Sequence, residues 1–270
     1  MSDINVVVCI YHSDILEIKK KIAFFFKAFK CNINVVICCT DDQSTSQAYE
    51  AEVKVGGSQL SFKTINVSNS LMDIGAYISG YNAIENDGNL TIFMNDRFLT
   101  DFNTNMVSKY LFKDIITLNS LKCPVLYGKL SHHGGLTQSS TVSDINYFIP
   151  TYFFVINSKS EELIQDWAHE IKKIDSMSLQ QLEYFLFQRY SRNLYNLTYE
   201  ICMNKSSKYL WTNNKKYEAS KKTLQKKMKC VVAEQVLIET FKQRSLIFAL
   251  NDTFLRKIMV RVFLQKMWFM

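Results

Sequence analysis

Residues 61–94 read SFKTINVSNSLMDIGAYISGYNAIENDGNLTIFM, and the hydrophobic period changes twice within them. Ser61 to Val67 reads as a strand. Ile74, Tyr77, Ile78, Tyr81 and Ile84 then recur at i, i+3, i+4, i+7 and i+10, one face of a helix that Gly88 can close. Leu90 to Met94 returns to a short apolar run rich in strand formers, so the stretch is strand, helix, strand.

The same alternation extends toward the N-terminus. Val6 to Tyr11 reads as a first strand, Asp14 to Lys30 as a helix and Asn34 to Cys39 as a second strand. Strands alternating with helices predict an α/β fold with a parallel sheet, whose right-handed crossovers gather the loops after the strands along one edge. Ligands of open α/β sheets bind at that edge. It would display Tyr11 and His12, then Thr40, Asp41 and Asp42, then Asn69 to Asp73, then Asn95 and Asp96, a polar and acidic row.

Beyond Cys123 the pattern changes. Pro124 to Tyr127 and Tyr147 to Ile156 read as two strands flanking a loop, Gly128 to Ser143, that contains His132-His133-Gly134-Gly135. The adjacent histidines lack the i, i+4 spacing of a helical zinc site, and the glycines suit a lid better. From Ser160 the period is helical through Glu161 to Lys173, Leu179 to Tyr190 and Glu234 to Met270. No internal repeat is visible.

At 270 residues, 47% hydrophobic and 21% charged, the chain has globular composition, which excludes disordered and low-complexity classes. Its start has an acid, Asp3, and no basic leader, and Lys27, Arg256, Lys257 and Arg261 interrupt the longest apolar stretches. The expectation is a cytoplasmic protein without a membrane span. Seven cysteines, none in a Cys-x-x-Cys pair and most inside apolar runs, predict buried thiols in a reducing compartment. Charge is uneven: Lys205 to Lys229 holds nine lysines against one acid, Glu218, so this segment carries +8 of a net +7 and the remainder is near neutral. Such a segment suits a polyanionic surface or a solvated connection.

Three short motifs carry a resemblance. Asp73-Ile74-Gly75-Ala76-Tyr77 opening a helix, the apolar strand ending in Asn95-Asp96-Arg97, and Thr151-Tyr152-Phe153-Phe154-Val155-Ile156 together resemble the bacterial polysaccharide glycosyltransferases related to rhamnan-synthesis proteins. The likeness runs over roughly residues 4 to 190 in order of elements. It implies a GT-A-like, Rossmann-type nucleotide-sugar-binding domain over residues 1–200, followed by a basic helical region, 201–270, associated with a membrane or with the core. It also implies transfer of a sugar from a nucleotide-sugar donor to a glycan or lipid-linked glycan in O-antigen or capsule synthesis at the inner membrane face, with inversion, and no nucleic-acid partner.

The resemblance makes Asp96 the ligand of a divalent cation, Mg²⁺ or Mn²⁺, that neutralises the leaving diphosphate. The sequence has Asn95-Asp96-Arg97 where the family pattern has a second acid, so Arg97 is an alternative source of positive charge. Tyr11, His12, Asp41, Asp42, Asp73, Asn95 and Arg97 are the candidate donor contacts. Asp73 also reads as a helix N-cap, Asn95-Asp96 as a turn, and Asp41-Asp42 as an Asx turn or cap. For the base that deprotonates the acceptor hydroxyl, Glu183 leads, followed by Asp144 and His133, although a solvated helix carboxylate is the ordinary role for Glu183.

Leu255, Ile258, Met259, Val262 and Phe263 form one helical face and Arg256, Lys257, Arg261 and Gln265 another, which fits either an interfacial helix or a core helix. The rival function is a non-catalytic α/β binding protein that uses the lysine-rich 205–229 segment on a polyanion or membrane. Steep salt dependence would mark it.

Overall fold

A computed structural model describes residues 3–11, 13–40, 51–68, 71–85, 90–101, 104–129, 131–132, 147–189, 221–242 and 244–250. The N-terminal alternation is β1 (Ile4–Ile10), α1 (Ile15–Phe25), β2 (Asn32–Cys39), a hairpin of β3 (Ala51–Val55) and β4 (Ser58–Asn66), α2 (Met72–Asn82) and β5 (Leu90–Asn95). Two helices follow, α3 (Asp96–Asp101) and α4 (Thr104–Ser120), and then β6 (Val125–Gly128). A two-residue pair, β7 (Ser131–His132) with β8 (Tyr147–Phe148), stands apart from the main sheet. The chain continues through β9 (Phe153–Asn157), α5 (Glu161–Ser176), α6 (Leu179–Arg189), α7 (Lys221–Lys242) and β10 (Leu246–Ala249).

The main sheet has eight strands in the order β10-β6-β9-β5-β1-β2-β4-β3. β9 runs antiparallel to both β5 and β6, β3 runs antiparallel to β4, and the other pairings are parallel. The protein is therefore an α/β fold on a mixed sheet, and its centre matches the expected parallel core. All seven residues of β1 are buried because helices cover both faces, which is why the strand reads as a continuous apolar run.

Alternate strand residues feed two cores. Val7, Cys9, Val36, Cys38, Phe93 and Phe154 join a layer with α2, α5, α6 and α7, while Val6, Val8, Ile10, Ile37, Ile92 and Val155 join the other with α1, α3 and α4. Helix α2 comes close to the sheet at Gly80, where a Cβ would collide with Val7 and with Cys38 Sγ at 2.6 Å.

Several expectations need correction. Helix α1 ends at Phe25, short of Lys30, and Asp14 caps its start by accepting the Glu17 N–H at 2.9 Å. The run Tyr147 to Ile156 is broken: a turn at Pro150–Tyr152 separates β8 from β9, since proline cannot donate to a ladder. The predicted helix from Glu234 to Met270 does not continue, because α7 stops at Lys242 and Leu246–Ala249 pairs with β6 as an edge strand.

Helix α7 begins at Lys221, so the last five lysines of the basic segment (221, 222, 226, 227 and 229) belong to a helix, and Lys229 Nζ donates to the Asp175 carbonyl. Trp167 Nε1 donates to the Ala233 carbonyl at 2.9 Å and fastens α5 to α7. The described part of the 201–270 region is thus core-associated. Lys205 to Ser220 and the amphipathic stretch from Leu255 lie outside the described residues.

Cys9, Cys31, Cys38, Cys39 and Cys230 are buried and Cys123 is half-buried, as their apolar surroundings predict. Burial pushes the Cys31 thiol up to about 11. Among the described residues no helix is long and apolar enough to cross a membrane.

Candidate functional site

From β1 the chain crosses to β2 on one side, whereas the neighbour on the other side is β5, so the strand order reverses between β1 and β5. A crevice opens at such a reversal, outside the carboxyl ends of the strands. Tyr11 and Ser13 follow β1 and Asn95 and Asp96 close β5, with Cys9 and Asn95 in register.

Asp96 joins the two strand ends. Its Oδ2 accepts the Tyr11 N–H at 3.1 Å and the Ser13 hydroxyl at 2.8 Å, and its Oδ1 accepts the Arg97 N–H at 2.8 Å. At 9% exposure it is a buried carboxylate satisfied by three donors.

Asn95 works in two directions. Its Oδ1 accepts the Phe98 N–H at 2.9 Å, which caps α3, and its Nδ2 donates to Asp73 Oδ2 at 3.2 Å. The Asn95-Asp96 pair is therefore a strand-to-helix turn that also orients a second carboxylate. Asp73 is not the N-cap of α2: that position is Leu71, without a side-chain cap, and Asp73 lies inside the first turn. Met72, just before it, has φ of 49°, a left-handed conformation uncommon for a side-chain-bearing residue. The uncapped first turn of α2 leaves backbone N–H groups without intrahelical partners beside the crevice.

A third carboxylate enters from α7. The Thr151 N–H and hydroxyl both donate to Glu234 Oε1, at 3.2 and 2.8 Å, and the Thr151 carbonyl accepts the Tyr77 hydroxyl at 2.7 Å. The Asn95 N–H donates to the neighbouring Tyr152 carbonyl at 3.2 Å. A continuous chain of hydrogen bonds thus runs from Asp73 through Asn95 and the 151–152 turn to Glu234. Burial, and after it the nearby Asp73 charge, push the Glu234 carboxyl above its ordinary range against the opposing pull of Lys227 and the Thr151 hydrogen bonds. Burial and Asp73 likewise push the Tyr11 phenol up. The Cys230 Sγ donates to the Leu71 carbonyl at 3.4 Å, which ties α7 to the start of α2.

Of the expected site residues, the fold brings Tyr11, Asp73, Asn95 and Asp96 together. Arg97 is adjacent in sequence, but its side chain is 76% exposed and pairs with Asp101 one turn along α3. Glu183 is half-buried on α6, and no hydrogen bond among the described residues joins it to the cluster. His12, Asp41, Asp42, His133 and Asp144 lie outside the described residues. Ser13 and Glu234 are not among the residues expected at the site, and Thr151 is expected only as the start of the third motif. Glu234 had one available signal, an acid set in the apolar helical run Cys230-Val231-Val232-Ala233 and Val236-Leu237-Ile238.

The described residues by themselves do not build a cation cage. Asp96 already accepts three hydrogen bonds, which a cation would have to displace, and a hard divalent ion needs several oxygen ligands. Among the described residues no group of three or more His, Cys, Asp or Glu side chains could hold a metal. What the crevice offers is hydrogen-bond donors, an uncapped helix start and two further carboxylates.

No protein-family profile matches the chain, and no curated protein matches it in sequence.

Proposed function

We propose that the protein is a glycosyltransferase that takes a sugar from a nucleotide-sugar donor in the crevice between β1 and β5 and passes it to a glycan hydroxyl. The observation that carries this reading is the convergence of Tyr11, Ser13, Asp73, Asn95 and Asp96 at the reversal of strand order. Nucleotide ligands of doubly wound sheets favour such a position. The GT-A-like character rests on this and on the resemblance of the three motifs; the antiparallel β9 beside β5 carries the third of them.

The chemistry fits the groups. As the glycosidic bond breaks, negative charge grows on the departing diphosphate, and the positive dipole end of α2 favours that charge. Asp96 holds the β1 exit loop and the α3 start in one arrangement, and the Asn95–Asp73 hydrogen bond ties the start of α2 to them, so the site is formed before the nucleotide-sugar arrives. A lipid-linked glycan acceptor at the inner membrane surface remains the proposed partner, on the resemblance alone.

The test is thermal stabilisation of the full chain by UDP, GDP, CDP and dTDP, each with EDTA and with Mn²⁺. A selective shift from one nucleotide is the expected outcome, and it names the donor class. No shift from any of the four overturns the transferase.

A further inference from the structure

We propose that Glu234 is the residue of this chain that takes the proton from the attacking hydroxyl, with Asp73 and Thr151 as its positioning partners. This rests on the transferase reading and assigns the role to a residue that, unlike Glu183, is hydrogen-bonded into the cluster. The geometry is the hydrogen-bonded chain from Asp73 through Asn95 and the 151–152 turn to Glu234, which puts the Glu234 carboxyl at the β5 end of the crevice. Both hydrogen bonds from Thr151 end on Oε1, which leaves proton exchange to Oε2. Thr151 is itself locked, 1% exposed with its carbonyl engaged by Tyr77.

The surroundings suit a base. The groups that act on Glu234 are Asp73 from α2, Lys227 from two turns earlier on α7, and Thr151 ahead of β9. A carboxylate that is half-buried beside another acid holds a proton more tightly than an exposed one, so it is a stronger base at neutral pH. In the step, the acceptor oxygen forms a bond to the anomeric carbon of the donor sugar. The bond from that carbon to the diphosphate oxygen breaks with its electron pair, and the hydroxyl proton passes to Glu234. It leaves to solvent afterwards, so atoms and charge balance.

Water can stand in for the acceptor, so the experiment measures release of nucleoside diphosphate from a panel of UDP-, GDP-, CDP- and dTDP-sugars across pH 4 to 9. Wild type, Glu234→Gln and Thr151→Val are compared, with binding of the free nucleoside diphosphates measured in parallel. Glu234→Gln keeps the shape and the Thr151 hydrogen bonds. It should bind the nucleotide as wild type does and release product a hundredfold or more slowly. Thr151→Val removes the hydroxyl hydrogen bond to the charged form, keeping the backbone one, and should move the acidic limb of the rate profile to higher pH.

A smaller loss in Glu234→Gln, with the limb unchanged, overturns the assignment and leaves the transferase standing. Should Glu234→Gln fail to fold, an unmoved limb in Thr151→Val overturns it instead. If wild type binds no nucleotide and releases none, the transferase reading falls and takes this assignment with it.

Discussion

Asp96 bridges two strand ends that are 85 residues apart in the chain, through the Tyr11 N–H and, from the same loop, the Ser13 hydroxyl. Asp96→Ala strands these donors and the Arg97 N–H, and a buried group left unpaired costs about 1–3 kcal/mol. We expect urea unfolding to show a loss of about 2 kcal/mol. Asp96→Asn keeps one acceptor oxygen and should lose less; equal losses would mean that the carboxylate's hydrogen bonds contribute little. Glu234 carries a pH signature of its own. Its folded pKa lies above the ordinary value of 4.5, so the folded chain retains a proton that the unfolded chain gives up. Its contribution to stability is present below the ordinary carboxylate value and is lost as pH rises through the raised folded value. Glu234→Gln should flatten that decline in a pH series of melting temperatures. These residues were unevenly legible. Asp73, Asn95 and Asp96 stand next to periodic elements and can be read from the sequence, whereas Ser13 and Glu234 acquire meaning only through partners 83 residues away.

At the scale of elements, the fit of α2 on the sheet controls where Asp73 points. Gly80 lets the helix approach Val7 on β1 and Cys38 on β2. Gly80→Ala should force the helix outward, and overpacking of this kind costs about 1–3 kcal/mol. Because Asp73 and Tyr77 ride on the same helix, nucleotide-induced stabilisation should weaken in that variant as well. Stability lost with nucleotide binding unchanged would separate the packing of α2 from the site. The inner strands were legible because both faces are covered, giving predominantly apolar runs in β1, β2 and β5. β3 was not, since Glu52, Val53 and Lys54 are exposed on an edge strand and carry no such run. β10 was hidden for another reason: four apolar residues after a helix continue either period, and only pairing with β6 decides between them.

In the whole molecule, the described part of the C-terminal quarter, residues 221–242 and 244–250, is part of the fold. Helix α7 covers one face of the sheet with Val232, Val236, Leu237 and Phe241 fully buried, and it brings Glu234 to the 151–152 turn. A chain ending at residue 200 should therefore lose cooperative thermal unfolding, because Trp167 and Ile171 would be uncovered. Retention of a sharp transition in that truncation would restore the picture of an appended basic region. The central claim is that the reversal between β1 and β5 is the ligand site. Hydrogen–deuterium exchange with and without the stabilising nucleoside diphosphate tests it most directly. Slowed exchange is expected in peptides containing Tyr11 to Asp14, Leu71 to Gly75 and Asn95 to Phe98. Protection confined to the lysine-rich segment 205–229, with these three peptides unchanged, would contradict it.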